Sequence, residues 1–137
     1  MSTARRILIV EDSDTDAHLV IRRIKRARAY LKVDRVRDGD ECMAYLRDEA
    51  NDLPDLILLD LNMPAKDGRE VLGELRADPE LYKIPVVVLT SSDLDSDRSK
   101  AYALQANAYV LKPGDVEEYE RVMSDLDRFW LDTNRFA

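Results

Sequence analysis

The sequence predicts an α/β protein built as a doubly wound, five-stranded parallel sheet of the (βα)5 type. Three observations predict it. Short apolar runs alternate along the chain with longer amphipathic stretches. The runs Ile7–Val10, Leu56–Leu59 and Pro85–Leu89 are strand-sized and almost purely apolar, as strands buried on both faces are. Alternation of strand and helix implies parallel strands with right-handed crossovers. A length of 137 residues suits one domain with one core.

The elements follow in order. Strand one is expected at Arg6–Val10, then a helix near Asp14–Arg28. Strand two, near Lys32–Arg37, has only Val33 and Val36 as branched apolar residues and reads as an edge strand, followed by a helix near Asp40–Arg47. Strand three is Leu56–Asp60, with a helix near Gly68–Arg76; strand four is Val86–Thr90, with a helix near Ser96–Gln105. Strand five is Ala108–Lys112, and the last helix spans Val116–Asp132. Asp67 with Glu70, and Asp115 with Glu118, have the spacing of reciprocal capping boxes. Pro54, Pro79 and Pro85 punctuate loops. Neither a repeat nor a linker to a second domain is visible, so residues 1–137 read as a single domain.

Composition excludes several classes. The hydrophobic fraction of 45% is that of a folded soluble chain. No apolar run approaches the ~20 residues of a membrane helix. Met1–Arg6 carries two arginines, but the apolar stretch after them is broken by Glu11 and Asp12, unlike a signal peptide. A lone cysteine, Cys42, fits a reducing cytoplasm and reads as a core or half-buried helix residue. A net charge of −7 disfavours non-specific nucleic-acid binding.

The informative pattern lies past the strand ends. Glu11 and Asp12 follow strand one, Asp60 ends strand three, Thr90 ends strand four, and Lys112-Pro113 ends strand five. In an open parallel sheet the carboxyl ends of the strands line a crevice where strand order reverses. In the order 2-1-3-4-5, strands one and three flank that point, so Glu11, Asp12 and Asp60 should converge near Thr90 and Lys112. Converging carboxylates raise one another's pKa values, and a hard divalent cation relieves them. Mg²⁺ accepts two carboxylates, a backbone carbonyl and waters. With Lys112 as a second positive charge, the set suits phosphoryl transfer, which depends on positioning and charge neutralisation. Asp60 is the candidate nucleophile, able to form an aspartyl phosphate, while Glu11 and Asp12 hold the metal.

Leu8-Ile9-Val10-Glu11-Asp12, Leu58-Leu59-Asp60-Leu61-Asn62-Met63-Pro64, Lys66-Asp67-Gly68, Val88-Leu89-Thr90-Ser91 and Lys112-Pro113 together resemble the receiver domains of bacterial two-component response regulators, in order and over essentially the whole chain. The resemblance implies a flavodoxin-like fold. It also implies Asp60 as phosphoacceptor for a histidine kinase, Glu11 and Asp12 as the acidic pair, and the Asn62 carbonyl as a Mg²⁺ ligand. Thr90 matches the switch hydroxyl, Tyr109 the switch aromatic and Lys112 the phosphate-binding lysine. A cis Lys112-Pro113 bond is implied as well. The Asn62-Met63-Pro64-Ala65-Lys66-Asp67-Gly68 run and Phe129-Trp130 resemble small single-domain regulators that partner phytochrome-type kinases. Such a protein is a cytoplasmic phosphoacceptor rather than an enzyme, promoting only its own phosphotransfer and dephosphorylation, with output through protein contacts.

Two other functions compete with this reading. Asp12-Ser13-Asp14-Thr15 resembles the nucleophile segment of haloacid-dehalogenase-like phosphatases, with Asp12 attacking, but lacks the glycine before the threonine. A receiver-like adaptor working without phosphorylation would be expected to lose the acidic pair, the acceptor or the lysine. Asp14 and Asp16 also permit a plainer view of Glu11-Asp12, as the start of an acidic, exposed helix entry. His18, the only histidine, reads as a surface residue of the first helix. In the last helix, Val116, Tyr119, Val122, Met123, Leu126, Phe129 and Trp130 recur at helical spacing. At ~1.5 Å per residue that helix outruns strands of ~17–20 Å, so Phe129, Trp130 and Phe136 are expected to overhang. A homodimer interface through Tyr119, Leu126, Phe129 and Trp130 is therefore expected.

Overall fold

The computed structural model describes residues 6–137; Met1 to Arg5, most of the stretch read above against a signal peptide, lie outside the described residues. The chain alternates β1 (Arg6–Val10), α1 (Asp14–Ala27), β2 (Lys32–Val36), α2 (Gly39–Arg47), β3 (Leu56–Leu59), α3 (Gly68–Ala77), β4 (Val86–Thr90), α4 (Asp95–Ala103), β5 (Ala108–Leu111) and α5 (Val116–Leu126). Five parallel strands form one sheet in the order β2-β1-β3-β4-β5, with β2 at an edge. The fold class and strand order are those expected. Boundaries move by one or two residues: β3 stops at Leu59 and β5 at Leu111, so Asp60 and Lys112 stand just beyond their strands.

Period-two alternation within the apolar strands builds two cores. Leu8, Val10, Ile57, Leu59, Val86 and Val88 face α2 and α3, meeting Met43, Leu46, Val71, Leu72 and Leu75. Ile7, Ile9, Leu56, Leu58, Val87 and Leu89 face α1 and α5, meeting Val20, Ile24, Tyr119 and Met123. Cys42 is fully buried in the first core, which pushes its thiol up to about 12, so it stays protonated and inert. His18 is exposed on α1, as read from the sequence.

Helix starts are set by side-chain caps. Ser13 Oγ accepts from the Asp16 N–H at 3.2 Å, Asp38 from Glu41 N–H at 2.8 Å, and Asp115 from Glu118 N–H at 2.8 Å. Asp67 accepts from both Arg69 and Glu70 N–H. The reciprocal boxes expected at Asp67 and Asp115 form only in this forward direction among the described residues. Glu118 turns instead to Arg121, 3.7 Å away. Gly68 is required by close approach: a Cβ there would lie 2.5 Å from the Asp60 carbonyl oxygen and 2.6 Å from Leu61 Cα.

The C-terminal segment departs from expectation. Regular α-helix ends at Leu126, and Asp127–Thr133 continues as wider π turns, with Asn134 N–H donating to Phe129 O five residues back. Asp127 is buried and held in a two-pronged pair by the Arg28 Nε and Nη2, at 3.0 and 3.2 Å. The changed register and this clasp bring Leu131, Trp130 and Phe136 back onto the sheet-facing core. Only Phe129 stays exposed, at 51%, its ring edge-on to Trp130 at 5.2 Å. The expected overhang of Trp130 and Phe136 is thus corrected. Tyr119, expected at an interface, is 4% exposed, because its position on α5 faces the sheet.

Gly68→Ala should lower stability by about 1–3 kcal/mol, the scale of overpacking a tight site. Urea denaturation checks it: the midpoint should fall with the slope unchanged.

Candidate functional site

Each charged group of the site sits one step past an apolar strand, where the sheet can no longer bury it without a partner. Asp60 N–H donates to Val10 O at 3.0 Å, locking the end of β3 to β1. Lys112 N–H donates to Thr90 O at 2.8 Å, locking the end of β5 to β4. Arg35, on edge strand β2, clamps the β1–α1 turn. Its Nε and Nη2 donate to the Glu11 carbonyl at 3.0 and 2.8 Å, and its Nη1 to Asp14 at 2.7 Å.

Carboxylate oxygens of Glu11, Asp12 and Asp60 then lie within 4.8 Å of one another; Glu11 and Asp60 are buried, Asp12 is exposed. The Lys112 Nζ enters this group at 2.6 Å from Glu11, 2.9 Å from Asp16 and 3.4 Å from Asp60. The lysine pairs with Asp60 at the longest of these three distances. Its nearer partners are Glu11, the residue just past β1, and Asp16, from the first turn of α1. The expected cis Lys112-Pro113 bond is absent, since no described peptide bond is cis. An X-Pro bond ordinarily prefers trans by about 0.5–1 kcal/mol.

Charge in the site is unbalanced. Burial pushes the Glu11 carboxyl up to about 7, against the pull of its Lys112 hydrogen bond and with a further push from the Asp60 charge. Burial acts to lower the Lys112 pKa, but hydrogen bonds to Glu11 and Asp16 and the Asp60 charge outweigh it, and the value is raised. One ammonium does not balance Glu11, Asp12, Asp16 and Asp60. An all-oxygen donor set short of positive charge fits a hard divalent cation. Asn62 is exposed beside it, its backbone N–H donating to Asp60 Oδ1 at 3.2 Å.

Thr90 is fully buried, and its Oγ1 accepts long hydrogen bonds from Asn62 Nδ2 and Ser92 N–H, each at 3.4 Å. Tyr109 is half-buried and packs on the first core, with its hydroxyl donating to Ser92 O at 2.8 Å. Ser92 Oγ donates to Asp97 at 2.5 Å, and Asp97 also pairs with Arg69 at 2.5 Å. Thr90 and Tyr109 therefore meet at one loop residue. Sequence reasoning missed Ser92, Asp97, Asp16, Arg35 and Asp127. For Asp16 a signal existed, the Glu11-Asp12-Ser13-Asp14-Thr15-Asp16 run, but it read equally well as an exposed helix entry.

A model of the response regulator receiver domain family matches residues 7–123. The chain belongs to that family, whose members are signalling phosphoacceptors. It is 41% identical over 131 residues to Response regulator Rcp1 of Synechocystis sp., covering 93% of this chain and 89% of that one. It is 38% identical to the probable methanogenesis regulatory protein FilR2 of Methanothrix harundinacea, covering 94% and 85%. Among solved structures, the phosphorylated cyanobacterial phytochrome response regulator RcpA superposes with a TM-score of 0.92 at 43% identity, covering 96% and 97%. The Mn²⁺-bound form of Rcp1 superposes at 0.93 and 39% identity, covering 97% and 99%. Nothing in these comparisons favours the phosphatase or the unphosphorylated adaptor.

Mg²⁺ should stabilise the fold through this donor set. At a tenfold excess over Kd the gain is about 1.4 kcal/mol. Thermal melts with and without Mg²⁺ check it: the wild-type Tm should rise, and Asp12→Ala should lose most of the rise.

Proposed function

We propose that Asp60 accepts a phosphoryl group from a phosphohistidine of a sensor kinase, with Mg²⁺ bound by Glu11, Asp12, Asp60 and the Asn62 carbonyl. The convergence of Asp60 with Glu11 and Asp12, and of Lys112 on Glu11 and Asp60, carries this reading. An Asp60 carboxylate oxygen attacks phosphorus, the P–N bond breaks, and its electron pair returns to the imidazole. Asp60 is held for this by its N–H bond to Val10 and by the Asn62 N–H on Oδ1, which leaves Oδ2 toward Lys112. Mg²⁺, when bound, neutralises charge on the transferring oxygens. Lys112 offers a second cation to the same oxygens and helps in both phosphotransfer and dephosphorylation, the only reactions promoted.

Thr90 and Tyr109 are the switch pair of this reading. A phosphoryl oxygen gives the Thr90 hydroxyl a stronger acceptor than its two long contacts provide, and Ser92 links that movement to Tyr109. Similarity to RcpA, a phytochrome response regulator, supports a phytochrome-type kinase as donor, and the lone cysteine suits a reducing, cytoplasmic setting. The near-complete coverage of Rcp1 supports reading residues 1–137 as one receiver domain, acting by protein contact. Exposed Phe129 and the shallow groove beside it, lined by Val110, Val122, Leu126 and Trp130, suit a homodimer contact.

Incubation with acetyl phosphate and Mg²⁺, followed by chemical trapping and mass spectrometry, should place the acyl phosphate on Asp60. Asp60→Asn should abolish labelling, and chelator should suppress it; label at Asp12 would favour the phosphatase instead. Sedimentation equilibrium should show a wild-type dimer that Phe129→Ala weakens roughly tenfold or more, the scale of losing an aromatic anchor.

A further inference from the structure

We infer that Asp16 is a positioning residue that competes with the phosphoryl group for the Lys112 ammonium; this rests on Asp60 being the phosphoacceptor. An ammonium has three donors, and Lys112 spends them on three unequal partners. Glu11 and Asp60 belong to the oxygen cluster that fits a cation. Asp16 does not, although it lies 2.9 Å from Lys112, closer than Asp60 at 3.4 Å. It enters from the first turn of α1, where its own N–H is tied to Ser13 Oγ at 3.2 Å. Its side chain is 29% exposed, so it is reached by solvent as well as by the ammonium. Among the described residues, Lys112 is the one cation within ion-pair distance of its carboxylate.

These facts give Asp16 opposite effects on two ligands. A cation that takes Glu11 and Asp60 displaces Lys112 from them, and Asp16 receives the displaced charge. Asp16 therefore assists metal binding. An arriving phosphoryl group needs the same ammonium and meets the negative charge of Asp16 behind it. Asp16 therefore weakens the anion. A carboxylate with a purely structural role would move both ligands in one direction.

The full chain is titrated by backbone-amide NMR with MgCl₂, then with beryllofluoride at saturating Mg²⁺, for wild type, Asp16→Asn and Asp16→Glu. Asparagine keeps the size and removes the charge. In Asp16→Asn the Mg²⁺ Kd should rise about threefold and the beryllofluoride Kd should fall about threefold, the scale of one unit charge several ångströms away under solvent screening. Asp16→Glu should stay near wild type on both. Beryllofluoride binding by Asp16→Asn that is unchanged or weaker overturns the inference. A wild-type protein that takes up no beryllofluoride with Mg²⁺ present overturns the phosphoacceptor reading itself.

Discussion

The Lys112 ammonium, held among the carboxylates of Glu11, Asp16 and Asp60, is the contact on which the site depends. Without it the buried Glu11 and Asp60 would face each other and Asp12 with no compensating charge. Desolvating such a group costs several kcal/mol unless it is paired. The sheet sets the meeting point. Val10 pairs with Leu59, so Glu11 and Asp60 fall at one level; Leu59 pairs with Val88 and Val88 with Tyr109, so Lys112 stands two residues further along, and its long side chain spans the difference. From Ile7 onward β1 is apolar to its last residue, as is β3 throughout and β4 up to Leu89, which confines the buried charge to this rim.

The same rim connects to the loop after β4. Thr90 is buried beneath Asn62, and Ser92 gathers the Tyr109 hydroxyl on its carbonyl while its own hydroxyl reaches Asp97. Arg69 completes the bridge from the start of α3 to α4. Burial of Thr90 with only long acceptor contacts leaves its hydroxyl proton free for a better acceptor. Because ligands shift populations only through differential contacts, a group that improves this one hydrogen bond biases the whole loop. The Ser92–Asp97 and Arg69–Asp97 bonds tie the same loop to the starts of α3 and α4.

At the far end of the sheet, the Arg28–Asp127 pair decides the shape of the C-terminal segment. A straight continuation of α5 would have projected its aromatics beyond the sheet. A buried carboxylate needs its guanidinium, and Arg28 sits at the end of α1. The wider turns satisfy that pairing and return Leu131 and Trp130 to the core, leaving Phe129 as the exposed ring.

Fold class and the acidic rim were legible in the sequence alone, because each rests on a local rule, whereas strand order came with the family resemblance. Both-face burial makes strands apolar, crossovers make them parallel, and charge can appear only where burial ends. Glu11, Asp12, Asp60, Thr90 and Lys112 are conspicuous for that reason. Tertiary structure decided which charge meets which. Asp16 reaches Lys112 across 96 residues of chain, and Arg28 reaches Asp127 across 99. Such pairings leave no periodic mark, because either partner alone looks like a solvated surface residue. The inward turn of Tyr119, the register change after Leu126 and the sharing of one ammonium among three carboxylates follow from packing distances, and those exist only once the sheet has closed.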